Sequence, residues 1–295
     1  MQGWRLPVIL LLVMACSSDQ TSPGNPPDVP ADLFSTTLNG AVALTWPDNA
    51  YESNPDNFQS YRIYSTTYNI DAPAGTDPCG SSWTLEGTTV APEFLVGAMV
   101  NGVSRCFSVS SASQTGVESN RSRTVFDTPR PDSRNQVLYP IQVKSDSSGF
   151  RFWDDDGDNV VEEGELGRVR DGASSDVDFY VDRDGSGRLF MTPVRTGTGV
   201  EFFSEDPVGD LTSIDDAPCF SAPDPGSCSR YATTPIEAAP GMGYVFEMEA
   251  GDQFLRYGAV RVTHVGRTFM ILDWAYQTDP GNPELLVASN RARRR

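Results

Sequence analysis

Apolar residues in this chain recur at every second position, and this alternation is the feature that most limits the fold. Val42, Leu44 and Trp46 share one side of a predicted strand. Tyr61 and Ile63 share one side of the next. A period of two is that of a β-strand, because successive side chains of a strand point to opposite faces. No long apolar segment has the helical period of 3.6, and 26 glycines and 22 prolines supply frequent turns. The sequence therefore predicts an all-β protein.

The strands predicted over residues 30–126 also have the spacing of a known domain family. The features that carry this resemblance are Pro30, Leu33, Trp46, Tyr61–Tyr64, Leu95, Asn101-Gly102, Cys106–Val109 and Gly116–Ser119. Together they resemble a fibronectin type III domain, which implies a β-sandwich that serves as a spacer or adhesion unit. Cys106 stands where the family usually has its corner tyrosine. A bridge from Cys79 to Cys106 would replace the stapling role of that tyrosine.

The N-terminus has the features of an export signal. Arg5 precedes a continuous apolar run, 6–15, which is too short to span a bilayer and is typical of a signal-peptide core. The sequence Val13-Met-Ala-Cys16 resembles the bacterial lipobox, which implies cleavage before Cys16 and lipid attachment to its sulfur. The alternative is an ordinary secretory signal with a coincidental cysteine. Ser17, in place of aspartate, resembles the outer-membrane sorting pattern. We therefore expect a lipid-anchored protein on the periplasmic or surface face of the outer membrane.

Composition divides the chain into six segments. The expected order is signal peptide, lipid-anchored tether, fibronectin type III-like domain, linker, β-rich C-terminal domain and basic tail, over 1–15, 16–29, 30–126, 127–136, 137–288 and 289–295. The linker is placed where two prolines, Pro129 and Pro131, prevent continuous strand pairing.

The second domain alternates less regularly, but it contains several strand signals. Segments 178–181 and 188–191 flank the turn at Asp184–Gly187, which is typical of a β-hairpin. Three further strands are predicted over 244–248, 259–265 and 268–276.

The cysteines predict disulfides. Apart from Cys16, four remain, and an even number is expected of an exported protein in an oxidising compartment. Three connectivities are open to four cysteines. The pairing that is local in sequence joins Cys79 to Cys106 and Cys219 to Cys228, with one bridge in each domain. The alternative, a four-cysteine zinc site, lacks any Cys-x-x-Cys spacing.

The densest group of candidate ligands lies in a twelve-residue acidic segment. Calcium prefers six to eight hard oxygen ligands, and the EF-hand loop places carboxylates at positions 1, 3, 5 and 12. The residues at those positions are Asp154, Asp156, Asp158 and Glu165. The segment resembles an EF-hand loop only over these residues, because Asn159 replaces the usual glycine and the flank Phe150–Trp153 resembles a strand. A structural Ca²⁺ is one interpretation, and an acidic solvated loop is the other.

Charge restricts the partners. The formal net charge is −18, which repels nucleic acid and anionic lipid headgroups. We therefore expect no nucleic-acid partner and membrane contact only through the lipid anchor. A protein or a carbohydrate remains the expected ligand class.

Catalytic motifs are sparse. His264 is the single histidine, no Gly-x-Ser-x-Gly elbow is present, and no phosphate-binding loop occurs. The sequence therefore favours a binding or interaction module over an enzyme, with the C-terminal domain as its head. The alternative is an anchored hydrolase that acts on polysaccharide through paired carboxylates of the C-terminal domain. Trp83, Trp153 and Trp274 are candidates for a carbohydrate-stacking platform.

Overall fold

The computed structural model describes residues 25–69, 72–73, 75–157, 161–214, 216–218, 231–249 and 254–285. In this part of the chain the strands form four antiparallel sheets, which confirms the all-β fold class. The described helices are all short: the α-helix α1 at Asn49–Ser53 and the 3-10 helices Ser145–Ser147, Glu163–Glu165 and Leu211–Ser213. Among the described residues, no helix is both long enough and apolar enough to cross a membrane.

The first domain is a sandwich of two sheets. Its strands, β1 to β7, are Phe34–Leu38, Ala41–Thr45, Phe58–Thr67, Thr84–Thr89, Glu93–Val96, Arg105–Ser113 and Val125–Asp127. One sheet has the order β1-β2-β5 and the other has the order β4-β3-β6-β7. This is a fibronectin type III-like arrangement, with three strands facing four.

Alternation along these strands places one side of each in the core. Val42 and Leu44 on β2 and Tyr61 and Ile63 on β3 are fully buried. Trp46 packs edge-on against Tyr61, with ring centroids 5.2 Å apart. Complete burial of an apolar side chain of this size stabilises a fold by about 1.5–3 kcal/mol. The strand faces predicted from the alternation are therefore confirmed.

A disulfide joins Cys79 to Cys106, as predicted. Cys106 is fully buried on β6. Cys79 precedes β4 and forms an isolated β-bridge with Tyr68 just after β3. The bond therefore ties the β3–β4 connection to the central strand of the sheet. The predicted lipidation site Cys16 and the predicted pair Cys219 and Cys228 lie outside the described residues.

The second domain contains two five-stranded sheets. Its strands, β8 to β17, are Asp132–Leu138, Gly149–Trp153, Leu166–Arg170, Phe179–Arg183, Leu189–Pro193, Thr198–Phe202, Ile236–Glu237, Gly243–Glu249, Leu255–Val265 and Met270–Tyr276. The orders are β10-β9-β11-β12-β14 and β13-β15-β16-β17-β8. Aromatic side chains join the two sheets, as in the stacked pair Phe179 and Phe246, whose ring centroids are 4.7 Å apart. The predicted hairpin is β11–β12, and the three later predicted strands are β15, β16 and β17.

The irregular alternation of the second domain has a structural cause. Tyr244, Val245 and Phe246 are consecutive on β15, and all three are fully buried. Tyr244 and Phe246 belong to the core between the two sheets. Val245 instead packs in a second cluster on the opposite face, with Leu211 and Ile214. A strand covered on both faces has a continuous apolar sequence, so it lacks a clean period of two.

The connection between the domains is short and hydrogen-bonded on both sides. Strand β7 ends at Asp127 and β8 begins at Asp132, so only four residues separate the sheets. The Gly102 amide donates to Pro129 O (2.8 Å), and the Arg130 amide donates to Leu38 O (3.2 Å). On the other side, the Tyr276 amide donates to Pro131 O (3.1 Å). We refer to residues 128–131 as the connector. The predicted linker, 127–136, thus includes most of a paired strand, β8, whose mostly polar residues concealed it.

Arg130, at the middle of the connector, is the largest fully buried side chain among the described residues. Its guanidinium has no hydrogen-bond partner among the described residues. Asp132 and Asp127 provide opposite charge nearby, and desolvation nevertheless lowers the pKa of Arg130. Asp127 is held by Thr37 Oγ1 and by the Thr128 amide (2.8 Å). Removal of one partner of a buried charge group is strongly destabilising. Any arrangement of the connector that separated Arg130 from the two aspartates would therefore be disfavoured.

Candidate functional site

The acidic segment forms the loop of a β-hairpin. Strands β9 and β10, which flank it, pair antiparallel with Leu166 opposite Trp153. The Asp154 amide donates to Glu165 O (2.9 Å) and closes the loop. Gly157 has a φ of 106°, a conformation that side chains rarely adopt. The loop therefore lies on a strand–turn–strand frame, as the flanking sequence predicted.

The structure brings together a different set of carboxylates from the predicted one. Asp154 turns to the strands, where its Oδ1 is 2.9 Å from Arg151 Nη1 and its other oxygen contacts Arg170. Asp155 takes its place beside Asp156 and Glu165, and one carboxylate oxygen from each of these three lies within 4.8 Å of the others. Asp158 lies outside the described residues. Two predicted ligands, Asp156 and Glu165, are thus together, whereas Asp154 is neutralised by arginine.

Glu165 organises this loop through its carboxylate. It accepts hydrogen bonds from Trp153 Nε1 (3.0 Å), from the Asp156 amide (3.2 Å) and from the Glu162 amide (3.3 Å). The bond from Trp153 is the main reason that the pKa of Glu165 is lowered, so the group is anionic at neutral pH. Three hydrogen-bond donors already contact this carboxylate, so Glu165 can hold the loop together without a metal ion.

Calcium binding at the loop remains a prediction, and its test is thermodynamic. Three carboxylates that repel one another would be relieved by a hard divalent cation. We expect millimolar Ca²⁺ to stabilise the protein by about 0.5–1.5 kcal/mol, as for a site of roughly 10⁻⁴–10⁻³ M affinity. Thermal unfolding with calcium and with chelator, together with a calorimetric titration, measures this effect.

Asp156→Asn should remove the calcium response, and Asp184→Asn is its matched control. Asp184 lies in a similar acidic turn, but its carboxylate already accepts from the amides of Ser186 and Arg188, each at 2.9 Å. Glu165→Gln should loosen the loop whether or not calcium is present. If the titration shows no saturable heat and calcium does not shift the midpoint of thermal unfolding, the loop does not bind calcium. It is then held only by the hydrogen bonds to Glu165.

A cavity of about 760 Å³ lies where the two domains meet. Its volume is within the range of ligand-binding cavities, roughly 300–1,000 Å³. The first domain contributes two turns, and the second contributes the start of β8, the acidic hairpin, β17 and the segment after β17. The lining residues are Asn39-Gly40, Met99–Gly102, Pro131–Ser133, Val161, Leu166, Trp274 and Thr278–Pro280.

Close backbone approach at two glycines shapes this cavity. Gly102 has a φ of 78°, and a Cβ there would lie 2.6 Å from Thr278 Oγ1, across the domain boundary. Gly167 has a φ of 60°, and a Cβ there would lie 2.0 Å from Trp274 Cζ2. Only glycine permits both the left-handed backbone and these contacts. The cavity walls therefore depend on packing between the domains at Gly102 and on packing between the two sheets of the second domain at Gly167.

The cavity contains two carboxylates in different surroundings. Asp132 Oδ2 lies 3.6 Å from Arg134 Nη1, so an arginine balances its charge. Asp279 accepts a hydrogen bond from Asn282 Nδ2 (3.1 Å), and it has no ion-pair partner among the described residues. Burial raises the pKa of Asp279, against the opposing effect of Asn282. Asp279 is thus the carboxylate whose charge the surrounding structure balances least.

The raised pKa of Asp279 predicts a pH effect on stability. The folded state holds a proton on this group more tightly than the unfolded state, whose carboxyl titrates near ~4. The stability that protonated Asp279 contributes is fully present below that pH and is lost as the pH rises through the pKa of Asp279 in the folded state. We expect Asp279→Asn to gain stability relative to the wild type from pH 4 to pH 7. Chemical denaturation of both proteins at the two pH values measures this, and a constant difference would contradict it.

The other candidate residues do not assemble into a shared site. Trp153 and Trp274 are buried in the core of the second domain, and Trp83 lies in the first domain under the Arg121 guanidinium, 4.5 Å from its ring. The three tryptophans therefore form no exposed platform. His264 is exposed near the end of β16 and stacks on Phe269, with ring centroids 5.4 Å apart. The cavity was not predicted, because its walls come from turns that are distant in sequence.

Comparison with known proteins finds solved structures that match all or part of the described fold at low sequence identity. No family model matches the chain, and no curated protein matches it. An Fn3-like protein from Clostridium thermocellum is 20% identical over 35% of this chain and 92% of its own, with a TM-score of 0.25. The third fibronectin III domain of human KIAA0343 protein is 15% identical over 39% of this chain and 93% of its own, with a TM-score of 0.30. A DUF4466 family protein from Parabacteroides merdae is 12% identical over 84% of this chain and 99% of its own, with a TM-score of 0.37.

Proposed function

We propose that this chain is an exported, lipid-anchored binding protein whose ligand occupies the cavity between its two domains. The cavity carries the proposal, because it is of ligand size and draws its walls from both domains. The fibronectin-like domain then acts as more than a spacer, since its turns at Asn39 and Asn101 form one wall. The connector supports this role, because it holds the two walls in register.

Two surface valines provide a matched test of the binding site. Val100 lines the cavity and is 68% exposed, whereas Val90 lies elsewhere in the same domain and is 72% exposed. Val100→Trp should block the cavity without disturbing a core, and Val90→Trp is the control. A set of oligosaccharides, peptides and small organic molecules would be screened by thermal shift. Ligands of the cavity should stabilise the wild type and Val90→Trp but not Val100→Trp.

The same screen separates a binding protein from the alternative, an anchored hydrolase of polysaccharides. Mass spectrometry of each bound compound should recover it unchanged after prolonged incubation. Cleaved oligosaccharide would instead favour catalysis by paired carboxylates. If no compound distinguishes Val100→Trp from Val90→Trp, the cavity is not the binding site.

The anchor is tested separately in cells. Cys16→Ser should release the protein from the membrane fraction and abolish its acylation, because the thioether requires the cysteine sulfur. Fractionation followed by mass spectrometry of the N-terminal peptide measures both effects. Ser17→Asp, beside the lipidated residue, should keep the lipid and change the membrane in which the protein resides. An unlipidated wild-type protein would refute the anchor.

A further inference from the structure

The cavity between the two domains, which we call the junction cavity, has an uneven distribution of charge. Among the described residues, its lining contains the carboxylates of Asp132 and Asp279 and no lysine, arginine or histidine. Arg134, which is outside the lining, balances the charge of Asp132 at 3.6 Å. Asp279 has only the amide of Asn282 as a side-chain partner among the described residues. A ligand with a positive group would therefore complete an ion pair that the described residues leave open, whereas an anionic ligand would be repelled.

The rest of the lining is mixed, with the polar side chains of Asn39, Asn101, Ser133 and Thr278 beside an apolar stretch from both domains. Met99 and Val100 belong to the first domain, and Val161, Leu166 and Trp274 belong to the second. This apolar part of the lining favours an alkyl chain, because burial of the chain removes apolar surface from water. A carboxylate beside an apolar and aromatic wall is a combination that suits an organic cation better than a hydrated metal ion. The overall charge of −18 would also raise the local concentration of cations.

We propose that the junction cavity binds an organic cation, with its guanidinium or ammonium group against Asp279 and its apolar body along Val161, Leu166 and Trp274. This inference rests on the proposed function and narrows its ligand class. The cationic group has two sources: a free alkylguanidine or amine, and an arginine or lysine side chain of a peptide. Both present the same charged end on an alkyl stem.

The first experiment compares a cation with its neutral isostere. Butylguanidinium and butylurea have similar shape, so a calorimetric titration of each at low ionic strength isolates the charge. We expect butylguanidinium to bind with a dissociation constant on the order of 1 mM, because so small a ligand makes few contacts. Butylurea should bind at least about tenfold more weakly. Asp279→Asn should weaken butylguanidinium binding by about tenfold, whereas Asp206→Asn, a change at an exposed residue outside the lining, should leave it unchanged.

The second experiment identifies the source of the cation. The blocked tripeptide Ala-Arg-Ala and its citrulline counterpart have side chains of nearly the same shape, one with a charged guanidinium group and the other with a neutral ureido group. Tighter binding of the arginine peptide than of butylguanidinium assigns the site to peptides. Weaker binding of the peptide assigns it to free cations. In either case Val100→Trp should abolish binding, and Val90→Trp should not.

Two results would overturn the cation assignment: equal affinity for butylguanidinium and butylurea, or butylguanidinium binding that Asp279→Asn leaves unchanged. The assignment would also be overturned if an oligosaccharide, but not butylguanidinium, bound to the wild type and was blocked by Val100→Trp. In that case the proposed binding function would stand with a different ligand class. Loss of the difference between Val100→Trp and Val90→Trp for every compound would instead remove the proposed function itself.

Discussion

Replacement of Gly167 by alanine should lower the free energy of unfolding by about 2–5 kcal/mol. Two costs combine at this position. Its φ of 60° is a left-handed conformation that costs an alanine roughly 1–2 kcal/mol. The new methyl group would also lie 2.0 Å from Cζ2 of Trp274, a buried ring of the opposite sheet, and overpacking of this kind costs about 1–3 kcal/mol. Urea denaturation monitored by tryptophan fluorescence measures the change.

Gly164→Ala is the matched control for this substitution. Gly164 lies three residues earlier in the same hairpin, and a Cβ there would have nothing within 4 Å. We expect its free energy of unfolding to stay within about 0.5 kcal/mol of the wild type. Because Trp274 lines the junction cavity, Gly167→Ala should also weaken cavity binding, and Gly164→Ala should not. Equal stability of the two variants would contradict the close packing of Gly167 on Trp274.

Removal of the Cys79–Cys106 disulfide should cost about 3–4 kcal/mol of stability. The bond closes a sequence separation of 27 residues, and in the chain-entropy model a loop of this length restricts the unfolded chain by that amount. The double variant Cys79→Ser and Cys106→Ala removes the bond and places no hydroxyl at the fully buried position of Cys106. Equilibrium denaturation of this variant measures the loss.

Cys219→Ser with Cys228→Ser is the control for the disulfide prediction. If these two cysteines pair with each other, as the sequence predicts, they close a shorter loop. Their removal should therefore cost less than removal of the Cys79–Cys106 bond. Non-reducing peptide mapping of the wild type identifies both bonds. A double variant at Cys79 and Cys106 with unchanged stability would contradict the stapling role of the bond.

Strand β2 of the first domain could be predicted because one of its faces is in the core and the other is more exposed. Val42 and Leu44 are fully buried, whereas Ala43 between them is half-buried and Thr45 is exposed, so the period of two is visible in the sequence. The second domain was harder to predict, since Tyr244, Val245 and Phe246 are all buried, and periodicity alone cannot assign their faces. Strand boundaries there followed from turns such as Gly266-Arg267, where the Gly266 amide donates to Phe269 O.

The candidate sites were even harder to predict from the sequence, because they depend on contacts between residues that are distant along the chain. Counting along the EF-hand pattern selected Asp154, but this residue follows β9 directly and pairs with Arg151 and Arg170 on the strands. The position of Asp155 beside Glu165 could be predicted only with the fold of the hairpin. Arg130 carried no signal of burial, because a charged residue between two prolines is typical of an exposed linker.

The connector also determines which main-chain amides exchange with solvent together. The Gly102 and Arg130 amides lose their acceptors when the connector separates from the first domain, whereas the Tyr276 amide loses its acceptor when the connector separates from the second. Hydrogen exchange at these three amides therefore reports two distinct opening events within a folded molecule. If Tyr276 exchanges faster than Gly102 and Arg130, the connector stays with the first domain during opening. The reverse order means that it stays with the second, and a cavity ligand should slow both events because it contacts both walls.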